Sequence, residues 1–88
     1  MAVTNIIKFR VVGEPHGKAH TGFQKKGSQT AKSLCRGVEL RIAEVVLDCS
    51  EHDECSICLM KRQNITGEFG SVKAWAERQG MEIGDNLA

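Results

Sequence analysis

Four potential metal ligands crowd into one short stretch, Asp48–Met60, DCSEHDECSICLM. Cys49, His52, Cys55 and Cys58 follow one another at three-residue steps. Zinc takes about four tetrahedral ligands from thiolate and imidazole, and a Cys-x2-Cys pair on a tight turn supplies two of them. The acidic neighbours Asp48, Glu51, Asp53 and Glu54 make the local field attractive to a cation. The spacing also argues the other way. Structural zinc sites usually join two ligand pairs separated by a dozen residues or more. Cys35 lies 14 residues before Cys49 and joins the set only if the chain folds back on itself. Buried structural cysteines are therefore the first expectation, with zinc the alternative. A reactive Cys-x-x-Cys comes last, because such thiols sit at a helix N-terminus and the pattern here predicts a strand at Cys55.

At 88 residues the chain makes one domain. A domain of this size buries roughly 60–65% of the surface its unfolded chain exposes, so its margin is small. A metal ion, a partner or a second copy in a homodimer would add stability. Aromatics make up only 5% of the chain, which predicts an aliphatic core. A net charge of +1 argues against both a strongly basic nucleic-acid binder and a strongly acidic nucleic-acid mimic, but leaves room for a local patch. No run approaches the roughly 18 apolar residues of a membrane span, and MAVTNIIKF lacks a signal peptide's charged start and long apolar core. The expectation is a cytoplasmic protein with no membrane partner, whose four cysteines are reduced.

Thr4–Val12 alternates as a strand, with Ile7, Phe9 and Val11 on one face and Lys8 and Arg10 on the other. Gly13 and Pro15 stop it. Residues 15–28 read as an extended loop or ragged hairpin carrying Lys18, His20, Phe23, Lys25 and Lys26, which offer phosphate contacts and one stacking surface. His16 and His20 stand four apart, but the nearby proline and glycines exclude the helix that would aim both at one metal. From Ala31 to Cys49 the apolar residues recur at three- and four-residue steps, which predicts a continuous helix over 29–49. The competing reading breaks at Gly37, a natural helix stop, and continues as a strand through Val38–Leu47 with a bulge near Ala43-Glu44. Cys55–Arg62 reads as a short strand and residues 63–70 as a loop. Ser71–Gln79 is the clearest helix, capped by Ser71 and stopped by Gly80. Residues 84–88 read as a frayed tail. The fold class expected is α+β, a short sheet of 4–12 and 55–62 packed against one long and one short helix.

Ile7–Lys18, IKFRVVGEPHGK, resembles the opening strand and basic loop of RusA-type Holliday junction resolvases. The resemblance covers about a seventh of the chain and implies a nuclease-related alternative. That family depends on aspartates in a Pro-Asp-x-Asp-Asn-like segment. The counterpart here is Gly84-Asp85-Asn86 with no second aspartate, so no catalytic residue carries over. No Gly-x-Ser-x-Gly, phosphate-cradling glycine loop or His-Glu-x-x-His is present. The leading expectation is a small non-enzymatic regulator or inhibitor that binds a larger protein or protein–nucleic-acid complex through Lys18, His20, Phe23, Lys25 and Lys26. The alternative is a zinc-stabilised nucleic-acid-binding module with Cys49, His52, Cys55 and Cys58 as ligands.

Overall fold

The structure, a computed structural model, describes residues 3–14, 17–47 and 49–87, so Pro15, His16 and Asp48 lie outside the described residues. Its elements run β1 (Thr4–Val11), β2 (His20–Lys25), β3 (Thr30–Ser33), β4 (Glu39–Val45), a single 3-10 turn (Glu51–Asp53), α1 (Ser56–Phe69), α2 (Val72–Arg78) and β5 (Ile83–Asn86). The class is α+β as the pattern predicts, but the sheet is larger and closes on itself like a barrel. Antiparallel pairs link β1 to β2, β2 to β3, β3 to β4 and β4 back to β1. Closure gives each of β1 to β4 a partner on both sides and leaves β5, paired only with β1, as the remaining edge.

The alternation read in the first strand sets the core. Ile7, Phe9 and Val11 point inward and meet Ala31, with Leu40 and Ile42 packed against them. Closing so few strands requires a close crossing, and Gly22 provides it. A Cβ there would lie 2.3 Å from the Lys32 carbonyl oxygen of β3. Gly22 and Phe23 thus sit within a regular strand, inside the stretch read as an extended loop or ragged hairpin.

The continuous helix expected over 29–49 is absent. Two strands stand in its place, and Gly37 turns the chain between them at φ 65°. The β-branched Val38, Ile42 and Val45 suit strands, and the closing barrel gives both segments ladder partners that an isolated helix could not match. The bulge that the strand reading required is present at Ala43. Arg10 pairs with Glu44 and Val11 with Ile42, so two steps on β4 answer one on β1.

The strand expected at 55–62 and the loop at 63–70 form one helix, α1. Its inward stripe is Cys58, Arg62, Ile65 and Phe69, which are buried or half-buried at helical spacing, while Ile57 and Met60 are exposed. A thiol and an arginine on the inner face hide the period from a hydrophobic pattern. Gly70, at φ 89°, turns the chain out of α1. Ser71 then caps α2, accepting a hydrogen bond from the Ala74 amide at 3.0 Å. α1 packs against β2 and α2 against the chain's last strand, and Phe23 of β2 tilts against Trp75 of α2 with ring centroids 5.8 Å apart.

The tail expected at 84–88 is largely ordered strand. β5 runs parallel to β1, with Thr4 opposite Ile83, and the Leu87 amide donates to the Ile6 carbonyl at 2.7 Å. Among the described residues, no helix is long and apolar enough to cross a membrane.

Candidate metal centre

β2 and β3 form a hairpin whose register pairs Gly22 with Ser33. The Leu34 amide extends that ladder to the Thr21 carbonyl at 2.9 Å. One step further places Cys35 across from His20. The two side chains meet, with Cys35 Sγ 3.4 Å from His20 Nδ1. Ser33 Oγ lies 3.4 Å from the same sulfur and accepts from the Arg36 amide at 3.3 Å, which fixes the turn that carries Cys35.

The other half of the site arrives with α1. Backbone bonds lash the segment before the helix to Ala19, the residue preceding His20. The Ala19 amide donates to the Asp53 carbonyl and the Cys55 amide donates to the Ala19 carbonyl, both at 2.8 Å. Cys55 is the N-cap of α1 and Cys58 the third residue inside it, so the Cys-x2-Cys spacing turns both sulfurs toward β2. Cys58 Sγ lies 3.6 Å from His20 Nδ1 and 3.9 Å from the Thr21 carbonyl.

Between those segments lies Glu54, whose side chain is almost wholly buried. It accepts from Arg62 Nε at 3.1 Å and Nη2 at 3.2 Å, and from the Thr21 hydroxyl at 3.4 Å. Lys8 Nζ stands 3.5 Å away. Glu54 therefore ties β1, β2 and the helix together beside the cysteines.

The result is a four-residue cluster, His20, Cys35, Cys55 and Cys58, whose ligand atoms all lie within 4.8 Å of one another. His20 and Cys58 are buried, and Cys35 and Cys55 are half-buried. Zinc–sulfur and zinc–nitrogen bonds of about 2.3 and 2.0–2.1 Å imply tetrahedral N···S edges of about 3.5 Å. The observed 3.4 and 3.6 Å match that edge. His20 Nε2 faces Glu14 Oε2 at 3.1 Å. In the tautomer that carries its proton on Nε2, His20 donates to Glu14 and the lone pair of Nδ1 points at the sulfurs. This carboxylate–imidazole relay is how metal-binding histidines are commonly oriented. Glu14 Oε1 in turn pairs with Arg36 at 3.1 Å, next to Cys35.

The two Cys-x2-Cys thiols differ. Burial opposes ionisation of Cys55, but the backbone N–H groups of Cys58 and Ile57, together with the Cys58 and Cys35 thiols, hold the thiol below its ordinary value. Desolvation pushes Cys58 up to about 12, so without a cation beside it this thiol stays protonated.

Cys55 and Cys58, two of the four ligands expected from the local motif, belong to the cluster. Cys49 and His52 do not. His52 is exposed on the 3-10 turn, and its carbonyl accepts from Lys18 Nζ at 2.9 Å. Cys35 enters because the chain does fold back. His20, expected on a contact loop, is 3% exposed and faces inward. Of the other contact residues, Lys25 and Lys26 are exposed at the end of β2, and Phe23 is half-buried under Trp75. The missed pairing left one signal in the sequence. A hairpin turning near Gly27-Ser28 would have set His20 opposite Cys35.

No family model, curated protein or solved structure matches the chain. The resolvase likeness over Ile7–Lys18 is confined to that stretch, and Asp85 joins no group of metal-binding side chains among the described residues.

Proposed function

We propose that this chain is a non-enzymatic binding domain held together by a structural zinc ion on His20, Cys35, Cys55 and Cys58. The observation that carries the reading is convergence. Four soft or borderline ligands from β2, the β3–β4 turn and the start of α1 lie within 4.8 Å of one another. Four protein ligands complete a tetrahedral shell, the form of a structural site; a catalytic site keeps one position for water or substrate. Cys35, His20 and Glu14 also stand in the order thiol, imidazole, carboxylate, as Cys–His catalysis requires. Two further sulfurs crowd that imidazole, and they fit a metal shell better than the open side of a nucleophile.

The position of the ligands supports a stabilising role. α1 buries only Cys58 fully, so apolar packing alone holds this helix weakly to the barrel. A metal shared by strand, turn and helix joins three segments at one point through four ligands, and in small domains the free energy of metal binding is folding free energy.

The test is metal analysis of protein purified without a histidine tag. One equivalent of zinc is expected, lost on Cys58→Ser and on Cys35→Ser and retained on Cys49→Ser and His52→Ala. Folded, metal-free protein after growth and purification with zinc present would end this reading.

A further inference from the structure

Charge is distributed unevenly along the chain. Residues 17–41, which build β2, β3 and the start of β4, hold six cations and one acid, Glu39. That segment is +5 within a protein of net +1, so the remainder is −4. Ala31, Ser33, Leu40 and Ile42 face inward on β3 and β4. Lys32 and Arg41 therefore face outward, and both are exposed, as are Lys25 and Lys26 at the neighbouring end of β2. None of these four cations forms an ion pair among the described residues.

The same face is not flat. Where the edge of the helical layer meets β2 and β3 there is a concavity of about 210 Å³, lined in part by Phe23, Lys25, Thr30, Lys32, Glu39 and Met81. It offers an aromatic wall, a methionine, two ammonium groups and a mix of hydroxyl and carboxylate acceptors.

We propose that this outward face of β2, β3 and β4 binds single-stranded nucleic acid, with Lys25, Lys26, Lys32 and Arg41 on phosphates and one unpaired base in the groove beside Phe23. The proposal rests on reading the chain as a binding domain, not on its metal. Unpaired cations along adjacent strands suit a polyanion. A groove with a π face and polar rim suits an exposed base, which a duplex keeps stacked inside. An acidic protein is the competing partner, but stable protein interfaces are built around buried apolar or aromatic anchors. The large exposed apolar residues lie mostly elsewhere, and within residues 17–41 only Val38 is one of them.

The experiment is fluorescence anisotropy with labelled mixed-sequence single-stranded DNA and RNA 20-mers, the corresponding duplex, and a polyglutamate peptide. Four phosphate contacts on a single strand predict a log–log salt slope of about −2.8, an affinity loss of about 50-fold between 50 and 200 mM salt. The quadruple change Lys25→Gln, Lys26→Gln, Lys32→Gln and Arg41→Gln is expected to cut affinity at low salt by at least about 100-fold and flatten the slope. Phe23→Leu should weaken binding by about 5- to 100-fold with less change in slope. Because Phe23 also packs on Trp75, the quadruple variant, whose side chains are all exposed, keeps the test independent of folding. No binding of a single strand, equal or tighter binding of the duplex, preference for polyglutamate, or full affinity in the quadruple variant would each overturn the proposal. Zinc content is measured on the same preparation. Zinc-loaded protein that ignores nucleic acid refutes this surface alone, and metal-free folded protein that binds it refutes the metal reading alone.

Discussion

Replacing Glu14 with Gln separates the candidate metal centre from the scaffold around it. Glu14 is not one of the four candidate ligands. It holds the Nε2–H of His20 at 3.1 Å and pairs with Arg36 at 3.1 Å, so it orients one ligand and the turn that carries another. Glutamine keeps the shape but loses the charge that makes the imidazole a better donor. Loss of such an outer partner typically costs 10- to 100-fold in metal affinity, or about 1.4–2.7 kcal/mol. At a buffered free zinc concentration well above both dissociation constants, the stabilisation from binding falls by the same amount. For a domain of 88 residues that corresponds to a drop in Tm of roughly 6–20 °C. Competition against a chromophoric zinc chelator measures the affinity directly, and thermal melts in buffered zinc and in excess chelator measure the linkage. Glu14→Gln should differ from the parent in zinc and match it in chelator. Equal zinc affinities, or a deficit that persists unchanged in chelator, would refute the assignment of Glu14 to the metal centre.

Four further outcomes follow from the packing and the thiols. Gly22→Ala should destabilise the fold by about 1–3 kcal/mol in urea titration, because the added methyl meets the Lys32 carbonyl at 2.3 Å and backbone must move. Glu54→Gln should cost about 3 kcal/mol by the same measurement, since it removes the buried partner of Lys8 and Arg62; a change below about 0.5 kcal/mol would show that those cations simply turn to water. With zinc chelated, iodoacetamide near pH 8 should label Cys55 well before Cys58, read by peptide mass spectrometry, because helix-start amides favour the Cys55 thiolate while burial disfavours that of Cys58. The folded state binds the Cys58 proton more tightly than the unfolded state. In chelator its contribution to stability is therefore complete below the ordinary value of 9.0 and is lost as pH rises toward about 12.

What the sequence determined by itself is local. The alternation of Ile7, Phe9 and Val11 gave the first strand and the core face, and Ser71 with Gly80 bounded the second helix, because each signal sits within one element. It also offered Cys55 and Cys58 as candidate zinc ligands, because a Cys-x2-Cys spacing can present two thiolates to one ion; that the pair sits at the start of a helix and not of a strand came only from the structure. Only the tertiary structure could decide the rest. The stripe from Ala31 to Cys49 satisfies a helix on paper, but closure of the sheet offers those residues hydrogen-bond partners from β1 and β2 that no local pattern contains. That choice moves the ligand set. With a helix, Cys35 is carried away and only Cys49 and His52 remain near the pair. With a hairpin, register sets Cys35 opposite His20, and the backbone bonds of Ala19 dock Cys55 beside them. Asp48–Met60 therefore carries half of the candidate metal centre, and the other half is brought to it by strand pairing across 15 and more residues of chain.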